Sequence, residues 1–157
     1  MRLSHCILAG TLFLALAGGA HARTRAFSGY EAAVGAGVTN ASYHSSVLSP
    51  LRGQLGIRFW DRLALGVSGE FNTKRYYGFG YAALYVNPFG SMSLYGRGEY
   101  GVAGKYGEGT SDTDAIAYAV GITGGTKAYK IFLEYHRLEQ PGWADSAFVG
   151  FIWYQQR

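Results

Sequence analysis

With residues 1–22 set aside, His44 and His136 are the chain's imidazole bases, and each stands near groups with which it could do chemistry. His44 precedes Ser45 and Ser46, a match to a base beside a hydroxyl nucleophile. Neighbouring side chains on an extended segment point to opposite sides, so that pair does not meet, and its surroundings read as polar loop. His136 belongs to a larger ionic set with Arg52, Arg58, Glu70, Arg97, Glu99, Lys130 and Glu134, spread through segments of alternating polarity. If one face of a sheet gathers them, these charges pair with one another. Gly35-Ala-Gly37 and Gly78-Phe-Gly80 lack the strand-turn-helix setting of a phosphate loop; they read as relief of crowding inside a sheet. Cys6, the single cysteine, lies within the first 22 residues, which excludes a disulfide framework and thiolate-bound zinc. No catalytic residue, metal or cofactor is assigned.

The elements that must position this ionic set read as strands. In Leu63-Ala-Leu-Gly-Val-Ser-Gly-Glu-Phe-Asn72, Leu63, Leu65, Val67 and Phe71 share one face, and Ala64, Gly66, Ser68, Glu70 and Asn72 share the other. Alternation and turn residues together predict eight strands, at roughly 29–40, 51–60, 63–73, 77–87, 92–103, 114–124, 129–139 and 146–155. Pro50, Pro88 and Pro141 fall in the connections of this parse, as residues without an N–H donor should. Connections at 61–62, 88–91 and 124–128 are tight, those at 41–50, 104–113 and 140–145 are longer, and 74–76 is short. Ahead of the strands, Arg2, the apolar run Cys6 to Ala17 and Ala20-His-Ala22 form the three parts of a secretory signal, leaving 23–157 as one barrel domain.

Which face is wet decides the class. Glycine, serine and charge occupy the face opposite the aliphatic one, which fits a closed all-β, antiparallel, up-and-down transmembrane barrel with lipid outside. The outward set then includes Leu51, Leu55, Ile57 and Phe59, the Leu63 series, Tyr77, Phe79, Tyr81 and Tyr85, Ile116 to Ile122, and Tyr129 to Tyr135 at alternate positions. The inward set takes the eight charges with Gln54, Ser68, Asn72 and Ser93. The last strand, Ala147 to Tyr154, is apolar on both faces and cannot be phased. Aromatic belts are expected at Trp60, Phe89, Tyr129, Trp153 and Tyr154 on one side, and at Phe71, Tyr76, Tyr77, Tyr100, Tyr106 and Trp143 on the other. The net charge of +4, dispersed along the chain, carries no nucleic-acid signature.

The export signal, the opening strand Gly29-Tyr-Glu-Ala-Ala-Val-Gly-Ala-Gly-Val38, eight strands and an aromatic-rich last strand resemble the small eight-stranded outer-membrane barrels, the group of the OmpA transmembrane domain, OmpX and the opacity proteins. That resemblance covers the mature chain. It implies a monomer in the outer membrane of a Gram-negative bacterium, with outer-membrane lipid, lipopolysaccharide and the barrel assembly machinery as partners. The family usually ends on an aromatic residue, whereas this chain ends Tyr154-Gln-Gln-Arg157. Tyr135-His-Arg-Leu-Glu-Gln-Pro-Gly142, followed by Phe148-Val-Gly-Phe151, is similar in layout to the PagL-type lipid A deacylases, whose His-x-Ser serine is the nucleophile. Here that position is Leu138, which cannot attack an ester.

Three functions follow from these readings. The favoured one is a non-enzymatic outer-membrane barrel, structural or surface-binding, with the interior charges filling its lumen and Tyr43, His44, Lys105, Tyr106 and Trp143 in or beside its outer loops. The others are a membrane-embedded lipid A acyl hydrolase or acyltransferase, and a secreted soluble barrel with a small apolar ligand.

Overall fold

The computed structural model describes residues 27–41, 50–73, 75–89, 91–105, 113–139 and 144–156. They form eight strands: β1 (Phe27–Ala41), β2 (Leu51–Phe59), β3 (Leu63–Phe71), β4 (Arg75–Phe89), β5 (Met92–Lys105), β6 (Thr113–Gly125), β7 (Tyr129–Glu139) and β8 (Ala144–Gln156). Each pairs antiparallel with the next, and β8 pairs with β1 from Gly29↔Gln156 to Ala41↔Ala144, closing the barrel. The predicted signal segment, Tyr43, His44, Tyr106 and Trp143 lie outside the described residues.

Local chemistry sets the turns. Trp60 and Asp61 both take positive φ, 51° and 57°, and Arg62 N–H donates to the Phe59 carbonyl at 3.1 Å, closing a two-residue hairpin. The tight turn is therefore centred one residue earlier than the sequence suggests. Asn72 holds the opposite kind of turn, its side chain accepting from Arg75 N–H at 2.7 Å. β4 begins at Arg75, inside the segment 74–76 that alternation assigns to a connection. Pro88 lies within β4, where the ladder to β5 loses register between Val86 and Phe89; a proline fits where no ladder bond is asked of it.

Polarity is inverted relative to a soluble protein. Leu55, Val67, Val120, Ile131 and Phe151 are each more than half exposed on the outer face, whereas Glu134 and His136 are 1% exposed in the lumen. The outer face is an apolar surface that only a lipid phase could cover around the whole barrel. Strands of nine to fifteen residues rise about 3.3 Å per residue, enough to cross the apolar band when tilted. No described helix is long and apolar enough to cross a membrane.

β4 departs from its predicted phase. Tyr77, Phe79, Tyr81 and Tyr85, expected on the lipid face, are buried in the lumen, and Gly78, Gly80, Ala82 and Val86 face outward. Inward rings, Tyr81 among them, find room where glycines line the inner wall. A Cβ at Gly56 would fall 2.2 Å from the Tyr81 hydroxyl, one at Gly121 2.5 Å from the Tyr95 ring, and one at Gly35 2.7 Å from Phe132. A Cβ at Gly53, Gly78 or Gly98, on the outer face, would meet nothing within 4 Å. Tyr77 and Tyr154 consequently leave the predicted aromatic belts for the interior. β8 now has a phase: Ser146, Phe148, Ile152 and Tyr154 point inward, and Val149, Phe151 and Trp153 point outward.

Two glycine classes yield a direct contrast. Gly121→Val is expected to destabilise the barrel by about 1–3 kcal/mol through overpacking against Tyr95. Gly98→Val, with open space before it, should leave stability within about 0.5 kcal/mol. Urea unfolding in detergent, followed by tryptophan fluorescence, measures both.

Candidate functional site

The lumen is the polar site of this molecule, and the two-residue period of its strands builds it. Arg97 and Glu99 on β5, like Glu134 and His136 on β7, are spaced i and i+2, so each pair shares the inner face. β6 lies between them and offers only Ala115, Ala117, Ala119, Gly121 and Thr123 inward. Ala119 is the register partner of both Arg97 and His136. These short residues let long side chains on β5 and β7 reach across β6.

A central node results. Arg97 Nη2 donates to both Glu134 oxygens, at 2.5 and 2.6 Å, and its Nε lies 3.1 Å from Glu99. Its Nη1 also donates to the Gln54 side-chain carbonyl. Arg52 on β2 pairs with Glu99, stands 3.7 Å from its register partner Glu70 and lies 3.8 Å from Glu134. Ser68 donates to Glu99 at 2.9 Å, and the Tyr95 hydroxyl donates to Glu134 at 2.7 Å. His136 places Nε2 2.9 Å from Glu99 and Nδ1 3.6 Å from Glu70, with Phe79 and Phe148 edge-on to its ring.

A second node lies toward the end of the barrel that carries the hairpins 60–62 and 126–128. Glu31 on β1, a residue the sequence reading left out of the inward set, is 2% exposed and accepts from the Tyr81 hydroxyl at 2.7 Å. Arg58 Nε lies 3.3 Å from Glu31, and its guanidinium stacks between Tyr85 and Tyr154, 3.9 and 4.2 Å from the ring centroids. Glu31 went unread because the opening strand is otherwise small and apolar. The partners that reveal it, Tyr81, Tyr85 and Tyr154, were in one strand given the opposite phase and another given none. Lys130 is half-buried at this end, its ammonium 3.2 Å from Ser93 and 5.6 Å from the Tyr154 ring.

The eight charges singled out in the sequence thus divide between two nodes: six in the centre, with Arg58 joined to Glu31 and Lys130 beside them. Lys105 is exposed as the last residue of β5. Outward charge occurs where β7 and β8 approach the loop end, as Arg137 Nε 3.7 Å from Asp145, which also accepts from the Tyr135 hydroxyl at 2.8 Å.

For acyl transfer the relevant contact is between a nucleophile and a base. Ser146 faces His136 across the β7–β8 ladder, but its hydroxyl shares a 2.9 Å hydrogen bond with Thr39, and both histidine nitrogens face carboxylates. Among the described residues no serine hydroxyl is hydrogen-bonded to a histidine, and no group of three or more acidic, histidine or cysteine residues could hold a metal.

An oily exterior around an ion-filled closed sheet defines a small transmembrane β-barrel of the outer-membrane type. No protein-family model matches the chain, and no curated protein is similar to it in sequence. Solved structures share the fold. Neisserial surface protein A superposes with a TM-score of 0.63 at 13% identity, covering 85% of this chain and 100% of that one. The N-terminal β-barrel domain of Pseudomonas aeruginosa OprF gives 0.58 at 12% identity, covering 80% and 99%. A de novo designed transmembrane β-barrel gives 0.63 at 11% identity, covering 84% and 99%. At such identities the shared property is the fold.

Removing one member of the central node leaves buried charge without its partner. Arg97→Leu is expected to cost about 3–5 kcal/mol in urea unfolding, and the double change Arg97→Leu, Glu134→Leu to recover a large part of it. Additive losses in the double variant would show that the two side chains are not energetically coupled.

Proposed function

We propose that this is a non-enzymatic barrel of the Gram-negative outer membrane, with a structural or surface-binding role and a lumen closed by its ion-pair network. The observation that carries the reading is the filled lumen. Eight strands enclose a space just wide enough for side chains, and here Arg52, Arg97, Glu99, Glu134 and His136 bridge it from β2, β5 and β7. A diffusion pore needs many more strands.

Export through the segment 1–22 would deliver the chain to the assembly machinery and to a membrane of phospholipid and lipopolysaccharide. Recognition, in this reading, belongs to the segments that join strands at the loop end, with Tyr43, His44, Lys105, Tyr106 and Trp143 as contact residues. A rigid scaffold carrying variable connections is the usual arrangement for binding. Lipid A hydrolysis is the weaker reading, because Leu138 takes the place of a hydroxyl and His136 is engaged by two carboxylates.

In planar bilayers the purified barrel should give no sustained conductance steps, and replacing segments 42–49 and 106–112 by short Gly-Ser turns should leave it folded. Steady open steps from the unmodified protein would contradict the closed lumen. Loss of folding on loop replacement would contradict recognition loops carried by an independent scaffold.

A further inference from the structure

The lipid-facing surface is uneven, and its low ground is continuous. One row of ladder partners runs Trp153↔Ala32↔Leu55↔Val67, and the next runs Phe151↔Val34↔Gly53↔Gly69↔Gly78. Because strands in such barrels tilt by about 35–45°, rows across them climb obliquely through the membrane. Where the second row falls to glycine, a furrow of about 730 Å³ opens, with Leu55 and Val67 on one bank and Phe71 on the other. A hollow of about 270 Å³ adjoins it at Trp153 and extends toward Tyr30 and Gln155.

Aromatic rings and an exposed lysine stand at the hairpin end of the furrow. Tyr129 and Trp153 are ladder partners and both face outward. Lys127 stands exposed two residues before Tyr129, in a turn fastened to β8 by Tyr154 N–H donating to the Ala128 carbonyl at 2.8 Å. Apolar walls at chain depth, aromatic rings at headgroup depth and a cation beyond them match the three zones of an anionic phospholipid.

We infer that this furrow is a phospholipid site: one acyl chain lies over Gly53, alongside the Phe71 ring that covers Gly69, and an anionic headgroup meets Lys127. A second barrel is convex where the furrow is concave, and the banks would keep it off the glycine floor. The inference rests on the reading of the outer face as lipid-covered.

Trp153 borders the furrow and can report on it. In a background with Trp60→Phe and Trp143→Phe it is the remaining tryptophan. The protein is reconstituted in vesicles of chain-brominated phosphatidylglycerol or of chain-brominated phosphatidylcholine, and its quenching is compared. Phosphatidylglycerol is expected to quench at least twofold more strongly. That preference should vanish with Lys127→Glu and with Gly53→Leu, which fills the floor where a Cβ meets nothing within 4 Å. Equal quenching by the two lipids, or a preference that survives both substitutions, would overturn the site while leaving the membrane-spanning barrel intact. Quenching that falls as protein is added at fixed lipid would assign the furrow to a second copy instead, and also overturns it. No quenching by either lipid would refute the lipid-covered face itself.

Discussion

Backbone hydrogen bonding without water is the constraint on which the rest of this structure depends. In hydrocarbon an unpaired N–H or C=O costs several kcal/mol, so a spanning sheet must have no edge. β8 meets that demand by pairing with β1 along the length from Gly29 to Ala41. Closure at eight strands then fixes the width of the interior, and the width fixes what can fill it. Long side chains cross the lumen only where the facing wall is short, which is why β6 offers alanine, glycine and threonine inward between the charges of β5 and β7.

The interior is therefore a problem of volume as much as of charge. Rings lie against glycine, with Tyr81 over Gly56, Tyr95 over Gly121 and Phe132 over Gly35. Their hydroxyls serve the carboxylates, as Tyr81 does for Glu31 and Tyr95 for Glu134. Buried carboxylates hold their charge at tolerable cost only with such donors and with guanidinium beside them. On the inner face glycine is thus the counterpart of the aromatic ring, as Gly56 is for Tyr81, Gly121 for Tyr95 and Gly35 for Phe132.

Much of this was legible in the sequence. Eight strands, their order and the inward set from Arg52 to His136 follow from a period of two, because a charge on a lipid-facing strand is too costly to leave ambiguity. Where that cost was absent, the reading failed. In β4 both faces are uncharged between Tyr77 and Val86, so the rule that oil faces outward placed four rings on the wrong side. For Tyr81 the room comes from Gly56, distant in sequence. β8 could not be phased for the same reason. Glu31 stood alone in a strand of small residues, and its partners are Arg58 on β2 and the misread rings Tyr81 and Tyr85 on β4.

β4 is also where the account is most exposed. Spin labels placed singly from position 77 to 86, in a chain whose one cysteine lies within residues 1–22, can be probed with oxygen dissolved in the bilayer. Collision rates should peak at 78, 80, 82 and 86 and fall at 77, 79, 81 and 85. Peaks at the second set would mean that the aromatic face meets lipid, and the glycine-backed interior described here would be wrong.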